Sequence, residues 1–399
     1  MFSIFEKSEK VVKYEEFLNN VLKEDLRKEL ERRDKLYEDI AAHSQLKQTI
    51  DCIRKADLTD GLRTQVDLGS NFYCQAHINC FFITAILWLF PFCSRQYADT
   101  SFPYIPLEDI PFELIHFQGN SETGTEDPLC PVLSPKLSGP DFSIHKWIGE
   151  KGSEVLKKPE QFAADLNIKS GGVWHPEECQ AQYESVIIVP YRNRYEQLEI
   201  FLQYIHPFLQ RQQLHYRIVV VEQMDDRPFN RGRLLNIGFK EALNLGSPNI
   251  CFIFHDVDLL PQNDYNIYAC THQPRHMYSS VDIFRYHLPY RSLAGGSFSI
   301  LVNHFEEING FSNSFDGWGG EDDDFSFRLH RKGLEFCRFD PQVANYVMLP
   351  HKKEVPSPDR FGKLASKKEE DPSKDGLSTL EYKLLKIEYK PLYTHLFVR

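Results

Sequence analysis

The sequence predicts an α/β fold with a mostly parallel central sheet. Three short apolar runs, at 184–189, 217–221 and 251–254, have the length and composition of buried strands. Two longer segments, 195–213 and 231–245, separate these runs and have apolar residues at helical spacing. Apolar strands that alternate with amphipathic helices are typical of β-α-β units, whose strands run parallel.

Each element of this alternation can be justified in chain order. The runs ESVIIV, RIVVV and CFIF are apolar after their first residues, as strands of a sheet interior are. The apolar faces of the two helices contain Leu198, Leu202, Ile205 and Leu209 in the first and Leu234, Leu235, Gly238, Phe239, Ala242 and Leu243 in the second. Because ligands bind beyond the carboxyl ends of such strands, we expect functional side chains in 190–194, 222–227 and 255–258.

The chain is too long for one small core, and its composition divides it into four segments. Charged residues dominate the first, where apolar residues at helical spacing between 11 and 42 predict amphipathic helices. Frequent proline in the third is typical of a stem or linker. The predicted segments are a charged helical extension at 1–70, a membrane anchor or buried segment at 71–94, a stem at 95–129 and a catalytic domain at 130–399.

The run INCFFITAILWLFPFC, at 78–93, carries no charge from Cys80 to Cys93. It is short for a membrane-spanning helix, which needs about 20 residues, so a buried helix or strand is the alternative. Basic residues are more frequent before the run than after it, which favours a cytosolic N-terminus if it spans a membrane.

Composition excludes several classes of function. The formal net charge is −11, from 46 Lys and Arg against 57 Asp and Glu, so we expect no nucleic-acid partner. None of the nine cysteines forms a C-x-x-C pair, which disfavours zinc ribbons and thioredoxin-like redox chemistry.

Polar residues that could bind a ligand or take part in catalysis follow the predicted strands. Asp256 and Asp258 directly follow CFIF, where two carboxylates can bind one hard cation and its phosphates. The segment 190–194, PYRNR, offers an aromatic ring and two guanidinium groups to a nucleotide. Arg231 begins a predicted helix, where the backbone amides also favour an anion. His351 is a further candidate metal ligand, although an isolated histidine is more often an ordinary structural one.

The stretch 317–325, GWGGEDDDF, is the most informative. Its glycines allow close approach of the backbone to a ligand, and Trp318 offers a flat face to a sugar ring. Four successive carboxylates repel each other, which raises the pKa of some of them. One carboxylate beside a sugar hydroxyl could therefore act as a general base.

At these residues the chain resembles the β-1,4-galactosyltransferase family (glycosyltransferase family 7). The resemblance runs from about residue 130 to residue 398 and rests on VPYRNR, HPFLQRQQL, FNRGRLLNIGF, FHDVDLLP, LPYRSLAGG, INGFSNSFDGWGGEDDDF and PDRFGKL. It implies a GT-A-type nucleotide-sugar-binding fold and an inverting, Mn²⁺-dependent transfer. The expected donor is UDP-GalNAc or UDP-Gal, and the expected acceptor is the 4-hydroxyl of a terminal GlcNAc on a glycoprotein or glycolipid. The family also implies a Golgi membrane protein of type II topology with a lumenal catalytic domain.

The resemblance implies a role for each matching residue. Asp322 is the expected general base, with Glu321 and Trp318 beside it. The expected metal ligands are Asp258, Met348 and His351. The expected donor-binding residues are Pro190, Tyr191, Arg192, Arg194, Phe229, Arg231, Asp256, Val257, Leu293 and Gly296. The expected acceptor-binding residues are Gly319, Gly320, Asp323, Arg360, Phe361 and Leu364. It also implies disulfides Cys130–Cys179 and Cys251–Cys270, and a lid at about Met348–Ser366 that closes over the donor.

Two departures from the family bear on function. Vertebrate galactosyltransferases of the family have Tyr where Leu293 stands, and the smaller Leu leaves room for an N-acetyl group on the donor. This favours UDP-GalNAc over UDP-Gal. The family usually has a very short cytosolic tail, whereas here a long charged segment precedes the apolar run.

Two other classes of protein remain as alternatives. A phosphohydrolase with Asp-x-Asp after a strand would need Thr or Val after the second Asp, but Leu259 stands there. A non-catalytic sugar-binding protein would not need the carboxylates that GWGGEDDDF supplies.

Overall fold

The computed structural model describes residues 62–67, 73–78, 103–116, 128–141, 144, 156–246, 251–286, 288–351 and 354–399. The chain forms two compact units, Met1–Gln96 and Tyr97–Arg399. In the first, strands β1 (Leu62–Asp67) and β2 (Tyr73–Ile78) pair antiparallel. The helices predicted between 11 and 42 lie outside the described residues, as does the apolar run 78–93 beyond its first residue.

The second unit contains all the predicted site residues. Its strands are β3 (Val173–Trp174), β4 (Glu184–Tyr191), β5 (His215–Gln223), β6 (Cys251–His255), β7 (Leu259–Pro261), β8 (Arg275–His276), β9 (Ser280–Val281), β10 (Ser297–Leu301), β11 (Asn345–Met348), β12 (Leu384–Tyr389) and β13 (Thr394–Val398). Its α-helices are α1 (Ile110–Glu113), α2 (Pro159–Asp165), α3 (Tyr195–Arg211), α4 (Arg231–Leu243), α5 (Val302–Glu307), α6 (Glu321–Arg331) and α7 (Arg360–Lys367).

A mixed sheet organises this unit, in the order β12-β13-β5-β4-β6-β10-β8, with β3 paired to β5. The central strands β13, β5, β4 and β6 run parallel, whereas the outer pairings are antiparallel. The predicted order of strands and helices from 184 to 254 is confirmed, with bounds that differ by no more than two residues. The mostly parallel centre of the sheet is confirmed as well.

The central sheet is buried on both faces, which explains its continuous apolar strands. On one face, Ile187 of β4 packs in the same apolar cluster as Phe201 of α3. On the other, Ile188 packs in a cluster with Leu235 of α4. Helix α4 lies very close to the sheet because Gly238 has no side chain: a Cβ there would lie 2.4 Å from Cγ2 of Ile188.

A second, three-stranded sheet, β7-β11-β9, lies beside the end of β6. Strand β11 pairs antiparallel with β7, which places Met348 opposite Leu259. The turn that carries Asp256 and Asp258 is therefore held between the main sheet and the start of the predicted lid.

Both disulfides implied by the resemblance are present, Cys130–Cys179 and Cys251–Cys270. The compact unit begins at Tyr97, earlier than the predicted domain boundary at 130. Residues 103–116, which composition assigned to a stem, contribute to it: Ile110 is fully buried, and Ile105 N–H donates to the Arg338 carbonyl at 2.9 Å. In the part of the chain that the structure describes, no helix has the length and apolarity to span a membrane.

Candidate active site

The site lies where the parallel strands end. Strands β4 and β5 finish side by side, with Tyr191 opposite Glu222, and β6 ends at His255 on the other side of β4. The loops after these three strands therefore meet at one edge of the sheet, as the sequence predicted for 190–194, 222–227 and 255–258. Pro190, Tyr191 and Val257 are buried at this edge.

One side of the site combines aromatic and cationic groups. The Arg192 guanidinium lies 5.4 Å from the centre of the Phe229 ring, and its Nη1 donates to the Arg227 carbonyl at 2.6 Å. Arg194, just before α3, pairs with Glu354 of the predicted lid at 3.1 Å. The predicted nucleotide-binding residues of 190–194 and Phe229 therefore cluster, and the lid contacts them.

Arg231 is the central cation of the site. It begins α4, and the Asn230 side chain caps that helix by accepting from Arg233 N–H at 2.8 Å. The Arg231 Nε donates to Asp256 at 2.7 Å, and the Arg231 Nη1 lies 3.9 Å from Glu321. Nη1 of Arg231 and Oε2 of Glu321 are buried and have no hydrogen-bond partner among the described residues. Buried polar atoms without partners are costly, so this pair is suited to bind a polar ligand between α4 and α6.

The three predicted metal ligands lie together. His351 Nδ1 is 3.1 Å from Asp258 Oδ2, and Leu349 N–H donates to the Asp258 carbonyl at 2.7 Å. Met348 lies next to them through the pairing of β11 with β7. Burial and the charge of Asp256 raise the pKa of Asp258 to about 6, and a bound cation would oppose both effects. The described residues contain no group of three or more His, Cys, Asp or Glu arranged for a metal, and the predicted third ligand is the Met348 thioether. The carboxylate suits Mn²⁺, which also takes phosphate oxygens, and the imidazole is a common ligand of divalent transition metals, whereas the thioether is a softer ligand than Mn²⁺ usually takes.

The first turn of α6 carries the acidic run that begins at Glu321. Gly320 precedes it with φ of 100°, in the left-handed region that favours glycine. Burial and the neighbouring Asp322 charge raise the pKa of Glu321 to about 7. Burial and the neighbouring Asp323 charge raise the pKa of Asp322 to about 6, although Arg231 lowers it. Both are therefore carboxylates that can exchange a proton near neutral pH.

The other two carboxylates of the run have protein partners. Asp324 accepts from Arg328 Nε at 2.6 Å in a fully buried ion pair. Asp323 accepts from the Tyr290 hydroxyl at 2.9 Å. Asp322, in contrast, lies against Gly295, where a Cβ would be 2.6 Å from its Oδ2. Asp324 therefore has a structural role, whereas Asp322 faces the site.

Trp318 lies between the acidic helix and the lid. Its side chain is 57% exposed, and its carbonyl accepts from Ser357 N–H at 3.0 Å. Arg360 packs closely on Gly319, where a Cβ would be 2.9 Å from Arg360 Cδ. Phe361 is exposed and stacks with Arg360, whose guanidinium lies 4.2 Å from its ring centre. Four predicted sugar-contacting residues, Trp318, Gly319, Arg360 and Phe361, are thus adjacent, and Leu364 follows on the same helix α7.

The segment 293–296 forms a wall of the site beside Asp322. Leu293 is buried, and its carbonyl accepts from Arg338 Nη2 at 2.8 Å. The Gly296 carbonyl accepts from Asp256 N–H at 2.8 Å, which joins this wall to the turn that carries Asp256 and Asp258.

Tyr278 belongs to the same wall and was missed by sequence reasoning. A Cβ on Gly296 would lie 2.5 Å from Tyr278 Cε1, so the ring packs directly on this glycine. Burial raises the pKa of the Tyr278 hydroxyl, and the charges of Asp322 and Asp256 raise it further. The hydroxyl therefore lies near both carboxylates. No motif marks this residue because HMYSSV has the composition of an ordinary strand. Tyr290 was missed as well, although its place in LPYRSLAGG was a signal that could have found it.

Comparison with known proteins places this site in a family. Residues 130–271 match the family model described as the N-terminal region of glycosyl transferase group 7, and residues 275–352 match that described as the N-terminal domain of galactosyltransferase. β-1,4-Galactosyltransferase 1 of Mus musculus is 44% identical over 279 residues, which cover 68% of this chain and 66% of that protein. β-1,4-Galactosyltransferase 4 of Mus musculus is 38% identical over 300 residues, which cover 72% of this chain and 83% of that protein.

Solved structures are also similar. The catalytic domain of Drosophila β-1,4-galactosyltransferase 7 in complex with xylobiose has 29% identity and a TM-score of 0.47, covering 54% of this chain and 93% of that one. A mutant of the same enzyme, with manganese, UDP-Gal and xylobiose, gives the same values.

The family matches and the two relatives agree with the geometry of the site. They exclude the phosphohydrolase interpretation, and they confirm the GT-A-type fold expected from the resemblance. The relatives are named β-1,4-galactosyltransferases, which are hexosyltransferases, and the mutant Drosophila enzyme was solved with manganese. The chain belongs to the glycosyltransferase group 7 family, that of the β-1,4-galactosyltransferases.

Proposed function

We propose that the protein is an inverting, Mn²⁺-dependent β-1,4-glycosyltransferase that transfers a hexose from a UDP-sugar to the 4-hydroxyl of a terminal GlcNAc. The observation that carries this proposal is the position of Asp322. This half-buried carboxylate faces the site without a hydrogen-bonding cation of its own. It lies on the same edge of the sheet as Arg231, Asp256 and the Asp258–His351 pair. A proton acceptor and a cation site are thus combined on one sheet edge.

Different residues of the chain have different roles in transfer. Arg192, Arg194 and Phe229 hold the nucleotide, and Arg231 adds positive charge beside the diphosphate. Asp258, Met348 and His351 hold the Mn²⁺ ion, which supplies Lewis-acid stabilisation of charge on the UDP leaving group when bound. Asp322 accepts the proton of the acceptor hydroxyl as that oxygen attacks the anomeric carbon from the face opposite UDP. Trp318 and the lid exclude water and so limit hydrolysis of the donor.

The pH dependence of transfer follows from the raised pKa of Asp322. Only the ionised carboxylate accepts a proton, so kcat is expected to fall about tenfold per pH unit below pH 6. The effect on folding has the opposite sign: burial favours the protonated form, so the contribution of Asp322 and Glu321 to the free energy of unfolding rises on acidification below about pH 7. Both can be measured from about pH 5 to pH 8, with kcat at saturating Mn²⁺ and donor and unfolding by urea. A kcat that stays flat through pH 6 would rule out Asp322 as the base.

UDP-GalNAc is the proposed donor. Leu293 has neither the ring nor the hydroxyl of the tyrosine expected there in vertebrate galactosyltransferases, and Gly295 and Gly296 continue the same wall without side chains. An N-acetyl group on the second carbon of the donor sugar therefore has room. The Tyr278 ring packs on Gly296 in the same wall.

The donor proposal predicts the effect of Leu293→Tyr. The larger side chain refills the wall, so the ratio of kcat/KM for UDP-GalNAc to that for UDP-Gal is expected to fall at least about tenfold. The measurement is transfer to a GlcNAc acceptor by the purified full chain with Mn²⁺ and each donor. Leu293→Met, which is similar in volume and has no hydroxyl, is the matched control and should keep the original ratio.

Each outcome of this assay has a definite meaning. Faster transfer from UDP-Gal by the unmodified protein would reject GalNAc and keep the transferase. No transfer from either donor, with UDP still bound, would favour the non-catalytic sugar-binding alternative. Transfer to other terminal sugars but not to GlcNAc would reject the proposed acceptor.

We also propose a Golgi location with type II topology, in which the run 78–93 is the anchor and the catalytic unit is lumenal. The two disulfides support this proposal because they require an oxidising compartment. Resistance of the catalytic unit to protease in sealed Golgi vesicles is the expected result. Digestion without detergent would reject the topology.

A further inference from the structure

Asp375 is a buried hub behind the acidic helix. Its carboxylate accepts from the hydroxyls of Ser312 and Ser314 and from Asn313 N–H at 2.9 Å. These three residues lead directly into the segment that carries Trp318. Burial alone would raise the pKa of Asp375. The hydrogen bonds from Ser312 and Lys367 outweigh burial and lower this pKa, so the carboxylate is ionised.

The hub also binds the last residue of helix α7, which begins within the lid. Lys367 Nζ lies 2.9 Å from Asp375 Oδ2, and both side chains are only 12% exposed. Lys367 also contacts Glu370 at 2.7 Å. An ion pair that is mostly shielded from water is stronger than an exposed one, because solvent and salt screen it less.

A second contact joins the hub to the acidic helix α6. Arg328 Nη1 donates to the Asp375 carbonyl at 2.7 Å, while its Nε donates to Asp324 at 2.6 Å. Asp324 lies two residues after Asp322 in the first turn of α6. The hub therefore connects the end of α7, the approach to Trp318 and the helix that carries the proposed base.

The middle of the lid has a more exposed charge contact. Its ion pair to the nucleotide side, Arg194–Glu354, involves a largely exposed glutamate, and Val355 is 85% exposed. At the other end of α7, the contacts are made to Trp318 and Gly319, which belong to the sugar pocket itself. Among the described residues, the shielded charge contact of α7 is the one at Lys367.

We propose that the Lys367–Asp375 pair is a latch that holds the lid in its closed position relative to Trp318 and Asp322. Lys367 and Asp375 are positioning residues, since neither lies in the sugar pocket. The proposal rests on the function proposed above, in which a closed lid separates transfer from hydrolysis of the donor. Loss of the latch is expected to increase the open population while Mn²⁺ and UDP still bind.

The test compares Lys367→Met with Lys363→Met in the full chain. Methionine keeps an unbranched apolar chain and removes the charge. Lys363 lies one turn earlier on α7 and pairs with the exposed Asp359 at 3.1 Å, so it is a matched control. The probe is Glu-C protease cleavage after Glu354, a lid residue whose side chain is 67% exposed, mapped by mass spectrometry, with and without Mn²⁺ and UDP. We expect Lys367→Met to be cleaved about tenfold faster than the unmodified protein when Mn²⁺ and UDP are present. The control Lys363→Met should be cleaved at the same rate as the unmodified protein.

A kinetic readout separates a latch from general damage to the fold. Lys367→Met should raise the ratio of donor hydrolysis to transfer and the KM for the acceptor, and Lys367→Arg should restore both. Equal cleavage of Lys367→Met and the unmodified protein would reject the latch, as would failure of Mn²⁺ and UDP to slow cleavage of the unmodified protein. Because proteolysis needs no turnover, it tests the latch even if the proposed transfer reaction is wrong.

Discussion

Asp322→Asn is expected to lower kcat for transfer by about a thousandfold while leaving the affinity for UDP and Mn²⁺ nearly unchanged. The amide has almost the same shape as the carboxylate but cannot take a proton from the acceptor hydroxyl. It also removes a charge that burial disfavours, so the free energy of unfolding should not decrease. The measurement is single-turnover transfer together with calorimetric binding of UDP in the presence of Mn²⁺.

The control for this substitution is Asp109→Asn. Asp109 is exposed, precedes α1 without a side-chain cap hydrogen bond, and should leave every parameter unchanged. If Asp322→Asn retains turnover within a few-fold of the unmodified protein, Asp322 is not the base, and Glu321 becomes the next carboxylate to test. If UDP binding is lost together with transfer, Asp322 has a role in holding the donor instead.

Asp258→Asn is expected to weaken Mn²⁺ binding by at least about a hundredfold and to lower kcat/KM at limiting Mn²⁺ correspondingly. The amide keeps an oxygen near the cation but removes its negative charge, and it removes the carboxylate that lies 3.1 Å from His351 Nδ1. Titration with Mn²⁺ followed by electron paramagnetic resonance measures the affinity directly. Saturating Mn²⁺ should recover part of the rate, which Asp322→Asn cannot do.

The same titration on His351→Gln tests whether the cation binds between the turn and the lid. Weaker binding in both variants supports a shared site. Normal Mn²⁺ affinity in Asp258→Asn would mean that the ion binds elsewhere, and Asp256 would then be the carboxylate to examine.

The central fold was predictable because its signals are local. Apolar runs such as 184–189 report burial on both faces of a sheet without any knowledge of their neighbours. The order of the strands was not predictable in this way, since β13 joins the sheet between β5 and β12 from the far end of the chain. Contacts between distant segments decide that order, and no sequence window contains them.

The same distinction applies to the site. Asp256 and Asp258 were identified by their position after a strand, and Asp322 by its place in GWGGEDDD. Tyr278 and Asp375 act through contacts to Gly296 and Lys367, which only the folded chain brings near. Composition also gave no sign that residues near Ile110 pack into the core, because their proline-rich sequence has the character of a linker.

The pairing of β11 with β7 links binding of the cation to docking of the lid. Asp258 belongs to the core, whereas Met348 and His351 begin the lid. An ion that binds all three residues has a higher affinity for the protein when the start of the lid is docked than when it is not. By thermodynamic reciprocity, docking then raises the affinity for the ion by the same factor. In the proposed enzyme, the free Mn²⁺ concentration of a compartment therefore sets how many molecules are ready for acceptor before any sugar nucleotide arrives.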